Sequence, residues 1–241
     1  MNWDPPQKPV ELTEKRLIEA ILNGTFPIGT FLPAERELAK LIGVTRGTLR
    51  EALQRLKKDG WIQIHQGQST LVRDYLKEGN LGVLSAIAQN QDSITLEFII
   101  NLLIVRCLLA PSYVRLAFIN SKKDMHDLLL NLIKTPSNAK SFAKADWYFH
   151  IQCSILSKNP VFTLILNGFS DLYIKLARIY FKNESSRNHS LSFYKRLLQS
   201  LDQNDNKRAE NITYTVMQES IQIWKRTYSN SNSYEETGGQ K

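Results

Sequence analysis

The stretch from Pro33 to Val72, PAERELAKLIGVTRGTLREALQRLKKDGWIQIHQGQSTLV, restricts the fold of this chain more than any other part of it. Pro33 suits the first position of a helix, where the missing N–H is no loss. Glu35 and Glu37 fall in that first turn, where negative charge complements the helix dipole. Leu38, Leu41 and Ile42 recur at helical spacing and predict one apolar face, and Gly43 predicts a left-handed cap. Thr45 is placed to cap a second helix, with Leu49, Leu53 and Leu56 (or Ala52) as its buried stripe and Asp59-Gly60 as its end. Trp61–His65 and Ser69–Val72 then read as two strands joined by Gln66-Gly67-Gln68. Two short helices at a tight turn, followed by a two-stranded wing, predict a winged helix-turn-helix built to read duplex DNA.

Arg46, Gly47, Thr48 and Arg50 occupy the first turns of the second helix, where a recognition helix presents side chains to base edges. Between Arg36 and Lys58 seven Lys/Arg stand against Glu37 and Glu51. Basic groups at phosphates supply affinity, and bidentate arginines at guanine add about 1–3 kcal/mol of discrimination each. Overall charge adds nothing to this reading. The chain carries +8, but residues 1–75 hold 11 basic against 9 acidic groups and the remainder 20 against 14, so most of the excess lies elsewhere. A basic second half fits an anionic ligand and a solvated surface equally well.

At 241 residues with 42% hydrophobic content, the chain can bury a core in one large or two small domains. Two cysteines, Cys107 and Cys153, make no disulfide framework, and no signal peptide is read, so a reducing cytoplasm is expected. The most apolar stretch, Phe98–Phe118, is interrupted by Asn101, Arg106, Pro111 and Arg115 and reads as a buried helix rather than a membrane span. An amphipathic helix is expected from Glu11 to Asn23, ended by Gly24. The expected organisation is a DNA-binding domain over 1–75, a linker over 76–80, an all-α bundle over 81–228 and a disordered tail over 229–241. The bundle should hold about seven helices, over 81–89, 94–118, 122–134, 138–157, 160–182, 190–203 and 205–228. The fold class is therefore mainly α, with strand confined to the wing.

The pattern PAERELA-LIGVTR-TLREAL-RL-DGW is similar to the amino-terminal signature of the GntR family of bacterial transcription regulators. NLLIVR at 101–106, NPVFTLILNGFSDLYIKLARIYF at 159–181 and ESIQIW at 219–224 resemble the branch of that family that governs fatty-acid metabolism and senses long-chain acyl-CoA. The resemblance implies a homodimer on a palindromic operator, with no enzyme activity, no membrane and no cofactor. It implies DNA contacts from Arg36, Thr45, Arg46, Gly47, Thr48, Arg50 and the wing residues His65, Gln66 and Gly67. Relatives carry a threonine at Gly47, and their wing-tip pair runs Gln-His where this chain has His65-Gln66. Strand alternation would turn that histidine to the opposite face.

For the bundle, the resemblance implies a long-chain acyl-CoA effector held by Leu102, Arg106, Tyr173, Tyr180, Met217, Ser220 and Trp224. Leu102 and Arg106 share a helical face, as do Tyr173 and Tyr180, and Met217, Ser220, Ile221 and Trp224 form a stripe on the last helix. Each stripe alone also reads as plain core. Met217 replaces a glycine that stands beside the ligand in relatives, and Tyr214 replaces a neighbouring arginine. Bundles of the FCD type resemble one another in a metal site, of which this chain keeps Asp146 and His150 but has Tyr194 and Ser220 for the other two ligands, so no metal is expected. Two alternatives stay open: a metal-assisted carboxylate effector, and a bundle that has lost its effector and only dimerises.

Overall fold

The computed structural model describes residues 8–65, 67–89 and 94–237, with side chains described as far as Thr227. It divides into two compact units, 1–93 and 94–241. Among the described residues there are twelve helices and one two-stranded sheet.

In the first unit, α1 (Pro9–Leu22) packs on α3 (Arg46–Asp59), and α2 (Glu35–Ile42) crosses α3 through the expected turn. Gly43 sits at φ +78° and closes α2, a left-handed conformation that costs a residue with a Cβ. Thr45 accepts a hydrogen bond from the Thr48 amide at 3.2 Å and so caps α3. Leu49, Ala52, Leu53 and Leu56 are all buried beneath α3. Two details differ from expectation. Helix α2 starts at Glu35, leaving Pro33 in the approach, and Leu41 is 72% exposed, because the short helix buries Leu38 and Ala39 instead.

The wing strands are shorter than predicted: β1 (Ile62–Gln63) pairs antiparallel with β2 (Leu71–Val72), with Ile62 opposite Val72. The segment before α2 joins them. Phe31 bridges Leu71, the Leu32 amide donates to the Thr70 carbonyl at 2.8 Å, and the Val72 amide donates to the Thr30 carbonyl at 2.9 Å. Trp61 is fully buried against the ring of Tyr75, the first residue of α4 (Tyr75–Glu78). The stretch expected as linker therefore contains a helix. The helix α5 (Gly82–Gln89), expected to open the bundle, belongs to the first compact unit. The predicted break over 90–93 lies outside the described residues.

Gly60 ends α3 at φ +90°, and a Cβ there would stand 2.7 Å from Gly79 Cα and 2.8 Å from the Glu78 carbonyl oxygen. Both neighbours are backbone and cannot rotate away. Gly60→Ala is expected to destabilise the first unit by about 1–3 kcal/mol, read as a lower urea midpoint. An unchanged midpoint would contradict this packing.

The second unit is a seven-helix bundle: α6 (Leu96–Asn120), α7 (Lys122–Ile133), α8 (Ala139–Leu156), α9 (Pro160–Asn167), α10 (Ser170–Tyr180), α11 (Glu184–Asp202) and α12 (Asn206–Thr237). The predicted helix 160–182 is split at Gly168-Phe169, and α11 begins at Glu184 rather than at 190. The last helix continues to Thr237 where a disordered tail was expected, and 238–241 lie outside the described residues. By length and composition α6 is apolar enough to cross a membrane. It is instead the inner helix of the bundle, with Ile99, Leu103, Cys107, Ala110, Val114 and Ala117 buried as it packs on α7, α8 and α12, and with Arg115 ion-paired to Glu210 on α12.

Candidate nucleic-acid interface and effector cavity

On the first unit, Arg36, Arg46 and Arg50 are all exposed, on the two helices of the helix-turn-helix. Thr45 and Thr48 join their hydroxyls at 2.9 Å, so the cap and the first turn of α3 are held together. A Cβ at Gly47 would meet only Thr45 Oγ1, at 3.8 Å, so the missing side chain leaves an open surface and relieves no crowding. His65 and Gly67 are exposed at the wing, and Gln66 lies outside the described residues. Because β1 ends at Gln63, His65 is not in the ladder, and the alternation expected to reverse it does not extend that far.

On the second unit, α6, α8, α9, α10 and α12 line a partly open cavity of about 80 Å³. Its wall is largely apolar, with Leu102, Leu109, Leu166, Phe169, Leu172 and Leu176 among its members. Its polar side holds two hydrogen-bonded groups, one centred on Asp146 and one joining His150 to Tyr113. Asp146 Oδ1 accepts from the Tyr194 hydroxyl at 2.9 Å, and Oδ2 accepts a short hydrogen bond from Tyr173. Tyr173 in turn accepts from Arg106 Nη1 at 3.3 Å, and the guanidinium carbon lies 6.0 Å from the centre of the Tyr173 ring. His150 Nδ1 and the Tyr113 hydroxyl are 2.6 Å apart, while His150 Nε2 stands 4.0 Å from Asp146 Oδ2, beyond hydrogen-bond reach.

Burial governs the acid–base behaviour of this cluster. It depresses His150 to about 4, with Asp146 opposing and Arg106 reinforcing, so the imidazole is neutral at neutral pH. It pushes the Tyr113, Tyr173 and Tyr194 phenols well above their ordinary range. For Arg106, burial disfavours the charge, but Tyr173 and Asp146 outweigh it and hold the guanidinium firmly protonated. Among the described residues, Arg106 Nε and His150 Nε2 remain buried without a hydrogen-bond partner, and both side chains line the cavity. An apolar chamber with a few unsatisfied polar atoms is suited to an apolar ligand with a polar group.

Two family models divide the chain between them. Residues 10–72 match bacterial regulatory proteins of the gntR family, and residues 73–234 match the FadR C-terminal domain. The chain belongs to the GntR family, with a FadR-type C-terminal domain. The fatty acid metabolism regulator protein of Proteus mirabilis (strain HI4320) is 37% identical over 218 residues, spanning 90% of this chain and 91% of that protein. The protein of the same name from Escherichia coli O1:K1 / APEC is 36% identical over 224 residues, spanning 93% and 94%. That of Pectobacterium carotovorum subsp. carotovorum (strain PC1) is 39% identical over 191 residues, spanning 79% and 80%. A solved structure of Lar, described as controlling the Listeria monocytogenes agr system and mediating virulence, superposes with a TM-score of 0.61 at 15% identity, over 92% of this chain and 99% of that one. That likeness concerns the fold alone. The chain is thus a DNA-binding transcription regulator of fatty-acid metabolism, of the FadR type.

Of the FadR-type effector residues expected from sequence, Leu102, Arg106, Tyr173, Tyr180 and Trp224 line the cavity, and Tyr180 and Trp224 stack with ring centres 5.9 Å apart. Met217 and Ser220 do not line it. Both are buried on α12, and the Ser220 hydroxyl donates to the Val216 carbonyl at 2.8 Å. Sequence reasoning missed the parts of Asp146, His150 and Tyr113 in the polar wall of the chamber, and of Tyr194, which donates to Asp146 without lining it. The i, i+4 spacing of Asp146 and His150 gave their common face but not what faced them. The four-ligand metal pattern of FCD bundles does not fit here. Both Asp146 oxygens are occupied by tyrosine hydroxyls, His150 Nε2 is its only unengaged ring nitrogen, and the Ser220 hydroxyl is spent on the Val216 carbonyl.

Proposed function

We propose that this FadR-type regulator works as a cytoplasmic homodimer on a palindromic operator and leaves DNA when a long-chain acyl-CoA occupies the bundle. Arg36, Arg46 and Arg50 contact bases and adjacent phosphates, while Thr45, Gly47, Thr48, His65, Gln66 and Gly67 set register against backbone and minor groove. No catalytic step is assigned to the chain. The observation that carries the effector reading is the apolar cavity bearing two unpartnered buried polar atoms, on Arg106 and His150. A thioester carbonyl supplies the missing acceptor for the Arg106 and His150 donors, and the acyl chain covers Leu102, Leu109 and Leu176. By linkage, operator DNA weakens acyl-CoA binding by the same factor as acyl-CoA weakens DNA binding.

A second reading, a bundle without an effector that serves dimerisation, is favoured by Met217, which is 3% exposed and packed into the core at α12. Calorimetric titration with oleoyl-CoA on wild type and on Met217→Gly separates the two. Saturable heat with wild type, several-fold tighter in the variant, supports the effector. Binding by Met217→Gly alone supports the second reading, and no binding by either overturns the effector assignment.

A further inference from the structure

Of the three arginines read as DNA contacts, one is held; the fourth on these helices, Arg55, pairs with Glu14 and Glu51. Arg50 Nε donates to Glu35 Oε2 at 2.7 Å, whereas Arg36 and Arg46 make no side-chain hydrogen bond or ion pair among the described residues. Glu35 is the first residue of α2, where the positive end of the helix dipole favours its carboxylate. The two partners lie on different helices, so the contact crosses the turn. A guanidinium has two usable edges. With Nε engaged, both terminal nitrogens stay unpaired among the described residues, and that edge is the one that bonds guanine O6 and N7 in a bidentate pair. An exposed arginine without such an anchor swings readily to the nearest phosphate, which raises affinity for any sequence.

We propose that Glu35 is a positioning residue that sets sequence discrimination by holding Arg50 toward base edges and away from phosphates. This rests on the reading of Arg50 as a base contact. Discrimination is a difference of affinities, and Glu35 acts mainly on the non-specific side of it. A free Arg50 adds about one phosphate contact to non-specific complexes, which steepens their salt slope by about 0.9.

The test uses the full-length protein, a duplex selected by wild type from a randomised pool, and a shuffled duplex of equal length. The ratio of the two affinities and the salt slope of each are measured for wild type, Glu35→Ala, Glu37→Ala, Arg50→Ala and the Glu35→Ala/Arg50→Ala pair. Glu37 shares the first turn of α2 but has no ion-pair partner among the described residues, so it reports the general effect of removing a carboxylate. Glu35→Ala should lower the ratio about tenfold, chiefly through tighter shuffled-duplex binding. Glu37→Ala should move both affinities by one common factor, and Glu35→Ala should leave the ratio unchanged once Arg50 is alanine. A lost helix contact without positioning would shift both affinities together. The proposal fails if Glu35→Ala spares the ratio, matches Glu37→Ala, or keeps its effect in the Arg50→Ala background. If Arg50→Ala itself spares the ratio, or no preferred duplex emerges from the pool, the reading beneath it has failed first.

Discussion

Asp146→Leu should lower the stability of the bundle by about 3–5 kcal/mol, or roughly 10 °C in melting temperature. Asp146 is the only carboxylate among the residues lining the cavity, and it anchors the chain Arg106–Tyr173–Asp146–Tyr194. Without it the half-buried Arg106 guanidinium has no carboxylate counter-charge in the cavity wall, and two tyrosine hydroxyls lose their acceptor. A buried charge stripped of its partner costs far more than the pair itself contributes. The companion result follows from the same asymmetry. Asp146→Leu combined with Arg106→Leu should recover most of the loss, since an apolar replacement of both partners leaves no orphaned charge. Urea denaturation of wild type, both single variants and the pair measures this. A single variant costing under about 1 kcal/mol, or a double variant worse than Asp146→Leu, would contradict the network.

The second large effect is a dependence of stability on pH. In the folded protein burial holds His150 near 4, against an ordinary 6.5. Between these values the unfolded chain binds a proton that the folded chain refuses, so stability rises with pH through this window and is lost as pH falls from about 6.5 to about 4. A shift of this size corresponds to about 3 kcal/mol. Below the folded value no further loss comes from this group. His150→Gln removes the titrating group, and the wild type should therefore lose about 3 kcal/mol more than the variant between pH 7 and pH 4. Parallel curves for the two proteins would mean that the imidazole is not held neutral.

The features legible in the sequence are those decided within a few residues. The Gly43 cap, the Thr45 cap and the Leu49–Leu56 stripe are local chemistry, and they fall where the pattern puts them. What stayed illegible depends on contacts between distant segments. Residues 30–32 join the wing because β2 offers them backbone partners, and nothing in their own spacing announces this. Leu41 has the period of a buried residue, but a helix of eight residues presents too narrow a face to cover it. Gly168 sits in an apolar run long enough for a single helix, so its break appeared only with tertiary packing. The polar side of the cavity needs α6, α8, α10 and α11 together, and a periodicity argument sees one helix at a time. For the same reason the α12 stripe groups Met217, Ser220 and Trp224 without telling which of them faces the chamber; Trp224 lines it, and Met217 and Ser220 are buried on the same helix.

Pro111 lies inside α6, between the wall residues Leu109 and Tyr113. Having no amide hydrogen, it leaves the carbonyl of Cys107 without its helical donor, and its ring crowds that same turn. The rod is thus already severed at one rung, level with the chamber. A helix that lacks one rung bends most readily at that point, and in α6 that point lies beside the chamber wall.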